Sequence, residues 1–117
     1  MRCICIVILI SICLLMMSQE KGKASFYGNR LHLKKTASGI PFHKDSLFCA
    51  HKKHPFGTLL RVKNLKNDKE IIAKVVDRGP FVRGRVIDLS RAAADSLGFI
   101  KSGVAKVDVW VVEDSIN

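Results

Sequence analysis

The clearest periodicity in the chain lies near its end. From Val104 to Val112, Val107, Val109 and Val111 fall on one face and Lys106, Asp108 and Trp110 on the other, the period-two pattern of a half-buried strand. Leu60 to Asn64 alternates in the same way, so Thr58–Asn64 reads as another strand. Leu65-Lys66-Asn67-Asp68-Lys69 is a turn, and Glu70–Val76 returns as a more apolar strand to complete a hairpin. Shorter strands are expected at Ala24–Gly28, closed by its glycine, and at Arg85–Leu89. Behind the latter, Ser90 suits a helix N-cap, Arg91–Leu97 one or two helical turns and Gly98 the stop. Asn29 to Asp45 is polar, with Gly39 and Pro41 as breakers, and reads as loop. Short strands, one short helix and no βαβ rhythm predict a mainly β domain, a small closed or nearly closed barrel.

The start of the chain follows another pattern. Arg2 precedes an almost unbroken apolar run from Cys3 to Met17, followed by polar Ser18-Gln19-Glu20. As a helix that run rises about 22 Å, short of the roughly 30 Å hydrocarbon core. A basic residue, a short apolar stretch and a polar end are the layout of a secretory signal helix. The expected organisation is a signal peptide at 1–18 and one barrel domain at 24–114, exported, with no stable membrane span in the mature form. Cys13 follows Ile12 inside the run, an arrangement that supports lipid anchoring only weakly. Cys3, Cys5 and Cys13 leave with the signal, so Cys49 has no intramolecular partner. Its setting, Leu47-Phe48-Cys49-Ala50, reads as a small buried hydrophobe.

Charge narrows the partners. The formal net charge is +10, one less once Arg2 departs. Such an excess marks binders of nucleic acid, membrane surfaces or acidic polymers. Export argues against nucleic acid and leaves peptidoglycan, with its carboxylates, or anionic lipid and lipopolysaccharide. A solubilising surface explains the same composition.

The densest chemical feature is Val75-Val76-Asp77-Arg78-Gly79-Pro80-Phe81. A carboxyl at the end of an apolar strand can serve as a general acid. Asp77 can equally cap the turn or pair with Arg78. His51 and His54 are spaced i, i+3, as a metal pair on a helix would be. Pro55 and Gly57 break any helix there, and no Cys/His cluster completes a tetrahedral site, so no metal is expected.

Ala24-Ser25-Phe26-Tyr27-Gly28, Thr36-Ala37-Ser38-Gly39, Ala50-His51 with Pro55-Phe56-Gly57-Thr58, Val62-Lys63-Asn64-Leu65, Asp77-Arg78-Gly79-Pro80-Phe81, Arg85-Val86-Ile87-Asp88-Leu89-Ser90 and Ala92-Ala93 occur in one order. That ordered series closely resembles the rare lipoprotein A family of septal-ring proteins over about residues 24 to 113. The resemblance implies a six-stranded double-psi β-barrel and a lytic transglycosylase acting on peptidoglycan glycan strands without stem peptides. It implies no cofactor, and septal cell-wall proteins as candidate partners. Asp77 matches the family's catalytic aspartate and His51 its functionally important histidine, so the resemblance implies both as catalytic residues, Asp77 as general acid then base and His51 as its positioning or polarising partner. Tyr27, Arg78 and Asp88 are the expected substrate-binding residues. Where the family carries a glutamate after Thr-Ala-Asn/Ser-Gly, this chain has Ile40. The alternative that substitution raises is a non-catalytic glycan-binding or septal scaffold protein.

Overall fold

The computed structural model describes residues 19–28 and 31–112. Residues 1–18, read as a signal peptide, and 113–114 at the end of the expected domain lie outside the described residues. The described residues form six strands: β1 (Glu20–Phe26), β2 (Phe48–Ala50), β3 (Leu59–Asn64), β4 (Glu70–Asp77), β5 (Arg85–Leu89) and β6 (Val104–Val111). Among the described residues one helix, α1 (Arg91–Leu97), joins β5 to β6. The strands close into a barrel in the order β1-β5-β2-β4-β3-β6. Two of the pairings are parallel, β1 with β5 and β2 with β4. Among the described residues no helix is long and apolar enough to cross a membrane.

Alternation drives closure. Leu60 and Val62 of β3, Ala73 and Val75 of β4, Ile87 and Leu89 of β5, and Val107 and Val109 of β6 are all buried in one core cluster. The intervening residues point outward, so each strand gives one side to the barrel interior. Cys49 of β2 lies in the same cluster, and burial pushes its thiol up to about 12. It packs as a small hydrophobe.

Helix α1 covers the core with Ala93, Ala94 and Leu97. Its ends match the sequence pattern. Ser90 Oγ accepts from the Ala93 N–H at 3.2 Å, and Gly98 adopts φ 78°, the left-handed stop. Asn64, buried at the end of β3, donates from Nδ2 to Leu97 O at 2.8 Å and ties the helix to the β3–β4 hairpin.

The structure departs from the pattern at β1 and β2. β1 begins at Glu20, not Ala24, and ends at Phe26. Lys21 and Lys23 look like a polar leader, yet they are the outward positions of a strand paired on both edges, with β6 and with β5. β2 is too short to show alternation. Gly22 sits where β1 meets β5 closely: a Cβ there would lie 2.5 Å from Val86 Cγ1 and 3.2 Å from Gly84 O. Gly22→Ala is expected to cost about 1–3 kcal/mol through overpacking. Val86→Ala in the same chain is expected to recover most of that loss. Urea unfolding of the four variants of this cycle measures the coupling, and strictly additive effects would show that the two side chains do not meet.

Candidate active site

Four strands bring the chemistry together. Ala50 of β2 pairs with Asp77 of β4 on one side and with Asp88 of β5 on the other. Asp88 in turn pairs with Ser25 of β1. Ser25, Asp88, Ala50 and Asp77 therefore form a belt across neighbouring strands. Tyr27, just past the end of β1, extends it.

Both oxygens of the half-buried Asp77 are engaged. Tyr27 OH donates to Oδ2 at 3.0 Å, and the Ala37 N–H donates to Oδ1 at 2.9 Å. The second donor is aimed by a tight turn at Thr36–Ile40. Gly39 N–H donates to Thr36 O at 2.9 Å, and Thr36 Oγ1 donates to Ile40 O at 2.6 Å. The Ser38 N–H donates to Val76 O at 3.2 Å, docking the turn onto the end of β4. Ile40 contributes its backbone to this turn, and its side chain is exposed.

Tyr27 is held in place by packing. Its ring meets buried Phe42 edge-on at 4.7 Å, and Phe42 meets Phe48. Burial, then the Asp77 carboxylate and its hydrogen bond, then Asp88, push the Tyr27 hydroxyl far above its ordinary range. It stays protonated and donates. Asp88 is itself occupied, accepting from the Ser25 hydroxyl. Two of the three expected substrate-binding residues, Tyr27 and Asp88, therefore stand in the Asp77 belt.

Arg78, the third, turns to the neighbouring loop. Its Nη1 donates to His51 O at 3.1 Å and His54 O at 2.9 Å, and its guanidinium lies 4.0 Å over the Phe56 ring. Gly79 follows at φ 126°, a conformation glycine adopts without strain. His51 is buried, and its ring nitrogens are engaged by groups other than the Asp77 carboxylate. Its Nε2 lies 2.6 Å from Glu20 Oε1, and its Nδ1 accepts from the Lys53 and His54 N–H groups at 3.0 and 3.1 Å. It reaches Asp77 through the main chain, its N–H donating to Asp77 O at 3.1 Å.

Glu20 was not foreseen as a site residue, because it looked like the polar end of the apolar leader. The absence of a helix also did not keep His51 and His54 apart. The loop brings their rings to 4.2 Å, tilted by 37°, and His54 Nε2 lies 3.4 Å from the same Glu20 oxygen. These three groups have ligand atoms within 4.8 Å of one another, a spacing that a metal ion could bridge. The wiring of His51 opposes a metal. A ligating histidine donates its second ring N–H to an acceptor, whereas Nδ1 here faces two N–H donors.

A family model described as lytic transglycolase matches residues 19–109. The chain belongs to the lytic transglycolase family. Relatives named endolytic peptidoglycan transglycosylase RlpA bear this out, and with it the resemblance carried by the motifs. The probable RlpA of Aquifex aeolicus is 55% identical over 92 residues, covering 79% of this chain and 41% of that protein. The Campylobacter jejuni RlpA is 45% identical over 91 residues, covering 78% and 33%. The chain thus spans well under half the length of these relatives. In fold, this member of the lytic transglycolase family is similar to the apo expansin of Clavibacter michiganensis, at TM-score 0.65 and 23% identity over 82% of this chain and 51% of that one. The Streptomyces papain inhibitor gives TM-score 0.65 at 24% identity, over 81% and 94%. The expected six-stranded barrel with one short helix is the fold observed.

The electrostatics of His51 give a measurable consequence. Burial lowers its pKa below the ordinary value; the Glu20 hydrogen bond and charge oppose this, while His54 and Arg78 add to it. The unfolded chain then takes up a proton near pH 6.5 that the folded chain refuses. This contribution is complete above that pH and is lost as pH falls through the lowered folded value. Thermal melts from pH 7 to pH 5 are expected to fall more steeply for wild type than for His51→Gln. Equal slopes would mean that His51 titrates alike in both states.

Proposed function

We propose that this barrel cleaves peptidoglycan glycan between N-acetylmuramic acid and N-acetylglucosamine, as an endolytic lytic transglycosylase on strands without stem peptides. Family membership supports the reaction class. The observation that carries the assignment is the Asp77 carboxylate, held by Tyr27 OH and the Ala37 N–H at the end of β4.

In this reading Asp77 is the general acid and then the base. Protonated, it delivers its proton to the glycosidic oxygen as the bond from that oxygen to the muramyl C1 breaks. The muramyl 6-hydroxyl oxygen then bonds to C1, and its proton returns to Asp77. The proton account closes on one carboxyl without water, unlike hydrolysis by paired carboxylates. Tyr27 and the Ala37 N–H hold the carboxylate's direction during both transfers, a contribution of orientation. Asp88 and Ser25 support the belt beside it. Arg78 and His51 brace the loop that follows β2.

Lysines and arginines outnumber acids by 20 to 10, an excess suited to a polymer bearing carboxylates. The proposed place of action is the cell envelope, reached by export, with septal wall proteins as candidate partners. Ile40 supports a second reading, a glycan-binding module without chemistry, because it stands where relatives of the motif carry a carboxylate.

Asp77→Asn separates the two. It preserves size and much of the hydrogen bonding and removes the transferable proton. On denuded glycan strands, release of 1,6-anhydromuramyl ends, followed by mass spectrometry, is expected to fall by roughly 10²–10⁴-fold. Glycan binding and the melting curve are expected to persist. Equal release by both proteins would make Asp77 a turn residue. Binding without release by either would make the protein a binding module.

A further inference from the structure

We propose that Glu20 is a positioning residue for Asp77, acting through His51. The inference deepens the reading of Asp77 as the acid and rests on it for its kinetic consequence alone.

The geometry forms a short chain of contacts. The His51 side chain is only 4% exposed, and each of its ring nitrogens has a partner. Two main-chain N–H groups point at Nδ1, from Lys53 at 3.0 Å and His54 at 3.1 Å. Nδ1 is therefore the bare nitrogen of the neutral ring, and the proton resides on Nε2. Nε2–H then donates to Glu20 Oε1 at 2.6 Å. The ring orientation is thus set by one carboxylate on one side and a backbone turn on the other.

His51 in turn holds the residue that carries the acid. Its N–H donates to Asp77 O at 3.1 Å, and its carbonyl accepts from Arg78 Nη1 at 3.1 Å. The Asp77–Arg78 unit is consequently gripped by His51 from both sides. Strand β1 thereby reaches Asp77 twice. Tyr27, just beyond its end, orients the carboxylate; Glu20, at its start, secures the backbone by way of His51.

The recess beside the ring is lined by Glu20, Lys52, Lys53, Arg85 and Val86, so Glu20 is its one acceptor side chain. His54 Nε2 lies 3.4 Å from the same oxygen and shares it. Removing the carboxylate leaves the buried Nε2–H unpaired, and the ring is then expected to shift to find a partner.

The test uses the full-length chain and three proteins: wild type, Glu20→Ala and Glu20→Gln. Melting curves come first; if Glu20→Ala is unfolded at the assay temperature, Glu20→Met replaces it, keeping bulk without an acceptor. On denuded glycan strands, the variant without an acceptor is expected to lose kcat by about 10- to 100-fold, the cost of a misplaced reacting group, with KM little changed. Glu20→Gln, whose amide oxygen still accepts from Nε2–H, is expected to recover most of the rate. A destabilising but remote role would give no such split or rescue. Imidazole nitrogen NMR provides the readout that needs no activity. Wild type and Glu20→Gln are expected to show His51 as the Nε2-protonated tautomer with a protected ring N–H. The variant without an acceptor is expected to lose that protection and to shift the Ala37 amide resonance, which reports on the Asp77 carboxylate. An unchanged His51 ring signal and Ala37 amide in that variant would overturn the proposal, as would wild-type kcat. A Glu20→Gln loss as deep as the alanine loss would also overturn it, by showing that charge and not the hydrogen bond matters. If wild type releases no anhydro product, the transglycosylase reading fails, and the NMR comparison still decides whether Glu20 positions Asp77.

Discussion

Ala50 lies opposite Asp77 in one neighbouring strand and opposite Asp88 in the other, and the arrangement of the site depends on that double pairing. It belongs to β2, a strand of three residues. Parallel to β4 and antiparallel to β5, β2 inserts between two strands that follow one another in the chain. Parallel neighbours need crossing connections, and here other strands lie within them: β3 falls between β2 and β4 in the chain, and β2, β3 and β4 fall between β1 and β5. Closing the barrel through β2 therefore does two things at once. It removes an open sheet edge, and it lines up two carboxylates and a serine across adjacent strands.

Around this belt polar contacts fix the loops, together with the buried rings of Phe42 and His51. The Thr36–Ile40 turn is closed by its own backbone and two hydroxyls and is docked on Val76. The loop after His51 is held by Glu20, by Arg78 and by the Gly57 N–H bonding to Val75 O at 2.8 Å. An acid that must face a polymer needs an open side, so a fully buried carboxylate would not serve. The half-buried Asp77 keeps its direction through two donors while remaining reachable. A cavity of about 640 Å³, lined by Asn64, Phe99, Lys101 and Lys106 among others, lies by the β3–β4 turn. It is at the far end of β4 from Asp77, about 20 Å away by strand rise, and belongs to no part of this chemistry.

Much of the barrel was readable from the chain because one face of each longer strand is buried. β3 and β6 alternate cleanly, and α1 carries both its cap and its stop. β2 gave no such sign, since three apolar residues have no period. Lys21 and Lys23 hid the first half of β1, because outward positions of a strand paired on both edges are free to be charged. Asp77 and His51 stood out through their motifs. What linear spacing could not show is which groups each would touch. Glu20 lies far from His51 in sequence, and only the closure of β1 against β5 and β6 brings them together. The irregular loop at His51 also brings His51 and His54 together without the helix that i, i+3 spacing suggests.

The account makes Asp77 the only proton carrier and leaves water out of the reaction. Asp88 is spoken for by Ser25, and Glu20 is directed at His51. Glycan cleavage carried out in heavy-oxygen water tests this directly, with the new muramyl ends analysed by mass spectrometry. The account predicts ends lighter by one water than hydrolysed sugar, with no heavy oxygen incorporated. Heavy oxygen at the new reducing ends would contradict it, because water would then be the nucleophile and a second carboxylate would have to activate it.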